Sequence, residues 1–106
     1  MEKDEVIKAA AFIMRGKNKK AVFLILDEPM MPRDIMVTVF KKKSENAFSI
    51  VSRALADLQG EDLVECMNPE EKTGRIWQLT KKGKVVRAFF QKQKARAIHN
   101  ESAVDI

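Results

Sequence analysis

Apolar positions recur along this chain in blocks whose spacing passes from helical to alternating after Gly60 and back to helical after Thr80. Val6, Ile7, Ala10, Ile13 and Met14 fall at helical intervals behind the acids Asp4 and Glu5, and Arg15 with Gly16 closes the block; the spacing predicts an amphipathic helix over residues 3–15. Ala21 to Leu26 is apolar throughout, and periodicity alone does not separate helix from strand there. Asn18 as a cap and Pro29 as a stop select a helix over residues 18–27, apolar on every side and therefore deeply buried. Pro29 to Pro32 is a turn in which Met30 or Met31 is placed to form a short strand, and Pro32 suits a first helical turn. Ile35, Met36, Val39 and Phe40 then give residues 33–43 one broad apolar face, although the β-branched Val37, Thr38 and Val39 suit a strand equally well.

The next block is the one around which the others are organised. Phe48, Val51, Leu55 and Leu58 lie on one helical stripe, while Ser49, Ser52, Arg53 and Ala56 lie on the opposite one, which predicts a helix capped by Ser44 or Asn46 and running to Gln59. Its outward face is short, hydroxylic and basic, a composition that lets a helix approach the floor of a DNA major groove. After Gly60 the period changes. Leu63 to Met67 and Arg75 to Leu79 read as strands, joined by a loop with the turn formers Asn68, Pro69, Thr73 and Gly74. Trp77 and Leu79 share a sheet face and are expected over the core. Thr80 is a natural cap for a last helix over residues 81–97, whose Val85, Val86, Phe89 and Phe90 form a stripe wider than a small domain needs. Residues 99–106 are expected to be a frayed tail.

Three ordered pieces carry a family resemblance: Val51-Ser52-Arg53-Ala54-Leu55 with Leu58, then Leu63-Val64, then Gly74-Arg75 with Trp77, Leu79-Thr80 and Gly83. The set resembles the winged helix-turn-helix of prokaryotic transcription regulators, of the MarR and ArsR-like type and its small archaeal relatives. That resemblance covers Ser44 to Val86 strongly and Asn18 to Lys43 more weakly. It implies a mainly α fold with a small β wing (α+β), the helix-turn-helix spanning 33–59 and the wing 63–79. Residues 1–16 and the last twenty or so lie outside it; with the N-terminal helix and the long C-terminal helix that their spacing predicts, one domain is expected over residues 1–98. Such domains place a glycine immediately before the Leu-Val strand; Asp62 stands there, and aspartate tolerates the left-handed backbone better than most residues.

Composition narrows the function further. With 106 residues there is room for one modest core, and the formal charge of +5 points toward polyanions or acidic surfaces. The single cysteine excludes an internal disulfide, no apolar run is long enough for a membrane span, and the opening Glu2-Lys3-Asp4-Glu5 is unlike a signal peptide, so a cytosolic protein is expected. His99 is the only histidine, which leaves no histidine-based triad or multi-histidine zinc site, and there is no phosphate-binding glycine loop. Cys66 reads as a small apolar strand residue. Neither enzyme chemistry, a metal nor a cofactor is expected, and the sequence specifies no effector.

The expected partner is double-stranded DNA. Asn46, Ser49, Ser52 and Arg53 would face bases or position the helix, and Lys41, Lys42, Lys43, Lys72 and Arg75 would meet phosphates. Glu70 and Glu71 beside Arg75 oppose phosphate at the loop tip. A homodimer is also expected, joined by the first and last helices through Ile13, Val86, Phe89 and Phe90, since a twofold pair offers two recognition helices to a palindromic site. The competing class is a winged-helix module for protein contacts in a transcription or replication assembly, which the acidic loop tip suits.

Overall fold

Ser44 fixes the start of the central helix. Its extended backbone (φ −157°) turns the hydroxyl back to accept the Ala47 amide at 3.1 Å, and α4 (Glu45–Gly60) follows, with Asn46 in its first turn rather than at the cap. In this computed structural model, which describes the backbone of residues 1–104 and the side chains of residues 1–94, α4 buries Ala47, Val51, Ala54, Leu55 and Leu58. Full burial of such aliphatic side chains stabilises a fold by about 1.5–3 kcal/mol each. Phe48, expected in this stripe, is instead 46% exposed. It lies roughly 60° around the helix from Val51, on the edge of the stripe and beside the turn that leads into α4. The two alanines complete the buried face in its place.

The far end of α4 is closed by hydrogen bonds from Leu63 N–H to the Leu58 carbonyl (3.0 Å) and from Asp62 N–H to the Gln59 carbonyl (2.9 Å), with Asp62 left-handed at φ 58°. This is the glycine-type helix stop, built here on aspartate as expected, and the buried pair Leu58 and Leu63 supplies its apolar contact.

Beneath α4 lie α2 (Lys17–Leu24) and α3 (Pro32–Phe40), both packed against it. α2 starts one residue before the expected Asn18 cap, from Gly16, and no side chain caps it. It also stops at Leu24, short of the expected Asp27. Val22 and Phe23 are fully buried, and Leu26, just past the helix end, is 2% exposed. Met30 then pairs with Trp77 through both backbone bonds, N–H to carbonyl at 2.9 and 2.8 Å, as a single bridge. α3 ends in a left-handed Lys41 (φ 60°) whose N–H bonds the Val37 carbonyl at 2.9 Å. The three lysines therefore form the turn between α3 and α4 and not the last turn of a helix.

β1 (Val64–Cys66) and β2 (Trp77–Leu79) pair antiparallel, Val64 opposite Leu79 and Cys66 opposite Trp77. Both strands are shorter than expected; one backbone bond, from Met67 N–H to the Ile76 carbonyl (2.8 Å), lies beyond them, and past it a side chain holds the loop. Asn68 accepts the Ile76 amide through Oδ1 (2.8 Å) and donates Nδ2 to the Gly74 carbonyl (3.1 Å). Trp77 and Leu79 are buried over the core, as the alternation required.

The last helix, α5 (Lys81–Val104), runs past the expected end at residue 97. The His99 side chain and residues 105 and 106 lie outside the described residues. α1 (Lys3–Met14) packs on α2 and α5 through Val6, Ala9, Ala10 and Ile13. Ile13 and Val86 are both 0% exposed within the chain. Their assignment to a surface between two copies is thereby corrected: they are core residues that join α1 and α5 to their own domain.

α5 is seated by Thr80 and Gly83. The Thr80 hydroxyl donates to the Asp62 carbonyl (2.6 Å) and accepts the Gly83 amide (3.0 Å), while Thr80 N–H bonds the Leu63 carbonyl (3.1 Å). A Cβ on Gly83 would lie 2.1 Å from the Leu63 carbonyl oxygen. Gly83→Ala is therefore expected to lower the unfolding free energy by at least about 3 kcal/mol, since a backbone atom has no rotamer to yield. Urea denaturation followed by circular dichroism checks this, and a loss within ordinary surface-mutation scatter contradicts the close approach.

Candidate functional site

The outward face of α4 is open. Asn46, Ser49, Ser52 and Arg53 are all exposed, and the structure divides them between two shallow features. Asn46, Ser49 and Arg53 line one side of a cleft of about 380 Å³ whose opposite wall is Gly16 to Lys19, the start of α2, with Asp57 at its far end. Ser52 lies outside this cleft, one helical turn from Phe48. A second, more open depression is lined by Met36, Lys43, Ser44, Glu45, Phe48 and Ser49.

The cleft is electrostatically lopsided. The first turn of α2 contains no acid and carries Lys17, Lys19 and Lys20, so positive side chains sit at the positive end of the helix dipole, the unfavourable arrangement for an isolated helix. Lys19 is partly engaged elsewhere, its ammonium 3.9 Å from the centre of the Phe12 ring. Lys17 and Asn18 remain exposed opposite Arg53. The sequence offers Asn18 only as a cap and gives Lys17 no role, because their nearness to Arg53 comes from α2 crossing α4 and leaves no trace in local spacing.

Lys41, Lys42 and Lys43 are exposed in the turn that leads into the N-terminus of α4. The hairpin loop forms a separate basic group that lines neither feature on α4. Lys72 and Arg75 are exposed there, and Arg75 donates Nε to the Glu71 carbonyl at 2.7 Å, which fixes its guanidinium beside the loop while Glu70 and Glu71 stay exposed. Cys66 is half-buried with its thiol donating to Asn68 Oδ1 at 3.5 Å, so it belongs to the loop's hydrogen bonding as well as to the strand.

Phe89 and Phe90 are half-buried. With Met14 (62% exposed) and Leu24 they line an apolar groove of about 730 Å³ on the side of the molecule formed by α1, α2 and α5, bordered by Lys20, Arg87 and Lys94. Phe90 meets Phe23 edge-on at 6.2 Å, and Arg87 ties α5 to the end of α2 through the Leu24 carbonyl (3.1 Å).

Among the described residues Thr80 is the only buried polar side chain and no cluster of three metal-ligating side chains occurs. No helix of the described residues is long and apolar enough to cross a membrane. No family model matches the chain, and neither a curated protein nor a solved structure is significantly similar to it.

Lys41 occupies a backbone conformation that favours glycine, so Lys41→Gly is expected to raise stability by about 1 kcal/mol while removing one exposed cation. A denaturation midpoint that does not rise contradicts the strain read from its φ angle.

Proposed function

We propose that the protein is a winged helix-turn-helix DNA-binding protein that regulates transcription by occupying duplex DNA, with α4 as its recognition helix. The reading rests on the open outer face of α4. Short polar side chains and Arg53 stand uncovered along it, with Lys17 on one flank and Lys41 to Lys43 on the other. The element order supports it: α2, the Met30 bridge, α3, α4 and the β1–β2 hairpin follow one another as helix, short strand, helix-turn-helix and wing.

The mechanism is binding without chemistry. Phosphate attraction to Lys41, Lys42, Lys43, Lys72 and Arg75 supplies affinity, and Asn46, Ser49, Ser52 and Arg53 supply base preference. Lys17 and Asn18 join the phosphate-facing set on the strength of their position across the cleft from Arg53. Arg75 is the better wing contact because the Glu71 carbonyl holds it in place, whereas the tip carboxylates oppose phosphate.

The same reading includes a homodimer. Its contact surface is the groove of Met14, Leu24, Phe89 and Phe90, now without Ile13 and Val86. The same reading puts the protein in the cytosol.

Selection of bound duplexes from a random pool is expected to enrich one motif with the native protein and to lose it with Arg53→Ala. With about six phosphate contacts per chain, log affinity for that motif falls with log salt at a slope of roughly −5 for each chain bound. Salt-independent binding, or no enrichment, contradicts the reading. Light scattering at high micromolar concentration is expected to give a dimer that the paired substitutions Met14→Glu and Phe89→Glu return to monomer; a native monomer removes the dimer and leaves the DNA reading standing.

A further inference from the structure

Phe48 is the only one of the chain's six phenylalanines that is exposed; Phe12, Phe40, Phe89 and Phe90 are half-buried and Phe23 is buried. It stands four residues after the Ser44 cap, on the N-terminal half of α4. Its neighbours along the surface of that helix, Glu45, Ser49 and Ser52, are polar and exposed.

We infer that Phe48 is a specificity-determining residue that takes the 5-methyl group of a thymine in the major groove. The inference rests on the duplex-binding reading of α4 and names one base that this face selects. Three observations carry it. First, a recognition helix meets base edges with its N-terminal residues, which is where Phe48 lies. Second, Glu45, which is exposed, lines the depression beside the ring. A carboxylate repels phosphate and accepts from base amino groups, so this side of the first turn suits base edges, while Lys41 to Lys43 in the preceding turn remain for the backbone. Third, a lone apolar ring among polar neighbours offers a surface the size of one methyl group, and thymine presents the only methyl group on the major-groove edge of the four bases. Ser49 borders the same depression. Its hydroxyl would donate to the acceptor next to that methyl, which gives the ring a defined register.

The experiment uses the full chain and the duplex motif enriched by selection. Each thymine of that motif is replaced in turn by deoxyuridine, which deletes the methyl and keeps every hydrogen-bonding group. The expected result is a loss at one position of about fourfold in affinity, the value of one methyl-sized group removed from contact. Phe48→Ala is expected to bind the thymine and deoxyuridine duplexes equally, while Phe48→Leu keeps part of the difference. Because the ring is largely outside the core, circular dichroism of Phe48→Ala is expected to match the native protein. If it does not, Phe48→Leu carries the test: a methyl effect as large as the native protein's overturns the inference, and a smaller one supports it. Tight binding by the native protein that is indifferent to every methyl overturns the inference and leaves the DNA reading intact. A methyl effect that persists in Phe48→Ala overturns it as well. Failure to bind any duplex removes the functional reading and the inference together.

Discussion

The structure depends on one close approach, that of α5 to the Leu63 carbonyl. Gly83 makes it sterically possible and Thr80 makes it directional, its hydroxyl serving both the Asp62 carbonyl and the Gly83 amide. Three elements meet there: the end of α4, the start of β1 and the start of α5. The left-handed Asp62 that turns the chain out of α4 also presents the carbonyl that Thr80 grips. The helix stop and the seating of the last helix are therefore one hydrogen-bonded unit, and the orientation of α4 against the hairpin follows from it.

From that junction α4 gains two unlike faces. One is closed by α2 and α3 and supplies the centre of the core. The other is left to solvent with serines, an asparagine, an arginine and, at its edge, an aromatic ring. Charge is distributed around this outer face by backbone geometry as much as by composition. Lys41 lies in a left-handed turn that starts the link to α4, and α2 begins with lysines where acids would suit its dipole better. Both arrangements work against local stability, and both raise the positive potential beside the same helix.

What the sequence made legible was chemistry acting over a few residues. Ser44 and Thr80 as caps, the left-handed Asp62, the Met30 pairing and the buried Trp77 all follow from hydrogen-bonding groups or alternation within a short span. The errors arise where a second element decides. Phe48 and Val51 look equivalent on a helical stripe, and only the position of the α3–α4 turn distinguishes the edge from the centre. Ile13 and Val86 appeared available for a second copy because two amphipathic helices distant in sequence bury each other without any local sign of it. At the loop Asn68 holds the Ile76 amide and the Gly74 carbonyl with its side chain, a role that its character as a turn former does not specify. The cleft joining Lys17 and Asn18 to Arg53 was invisible for the same reason as the core pair: it is made by a crossing of helices.

Trp77 has a consequence of a different kind. It is the chain's only tryptophan, there is no tyrosine, and its backbone is bridged to Met30 while its ring is 7% exposed. Ultraviolet emission from the protein therefore comes almost entirely from one indole at the seam between the hairpin and the segment joining α2 to α3. An event confined to the outer surface of α4 leaves that indole's surroundings unchanged. Any motion that parts the hairpin from the helices admits water to it and shifts its colour, so the native chain is an optical gauge of that seam without a label.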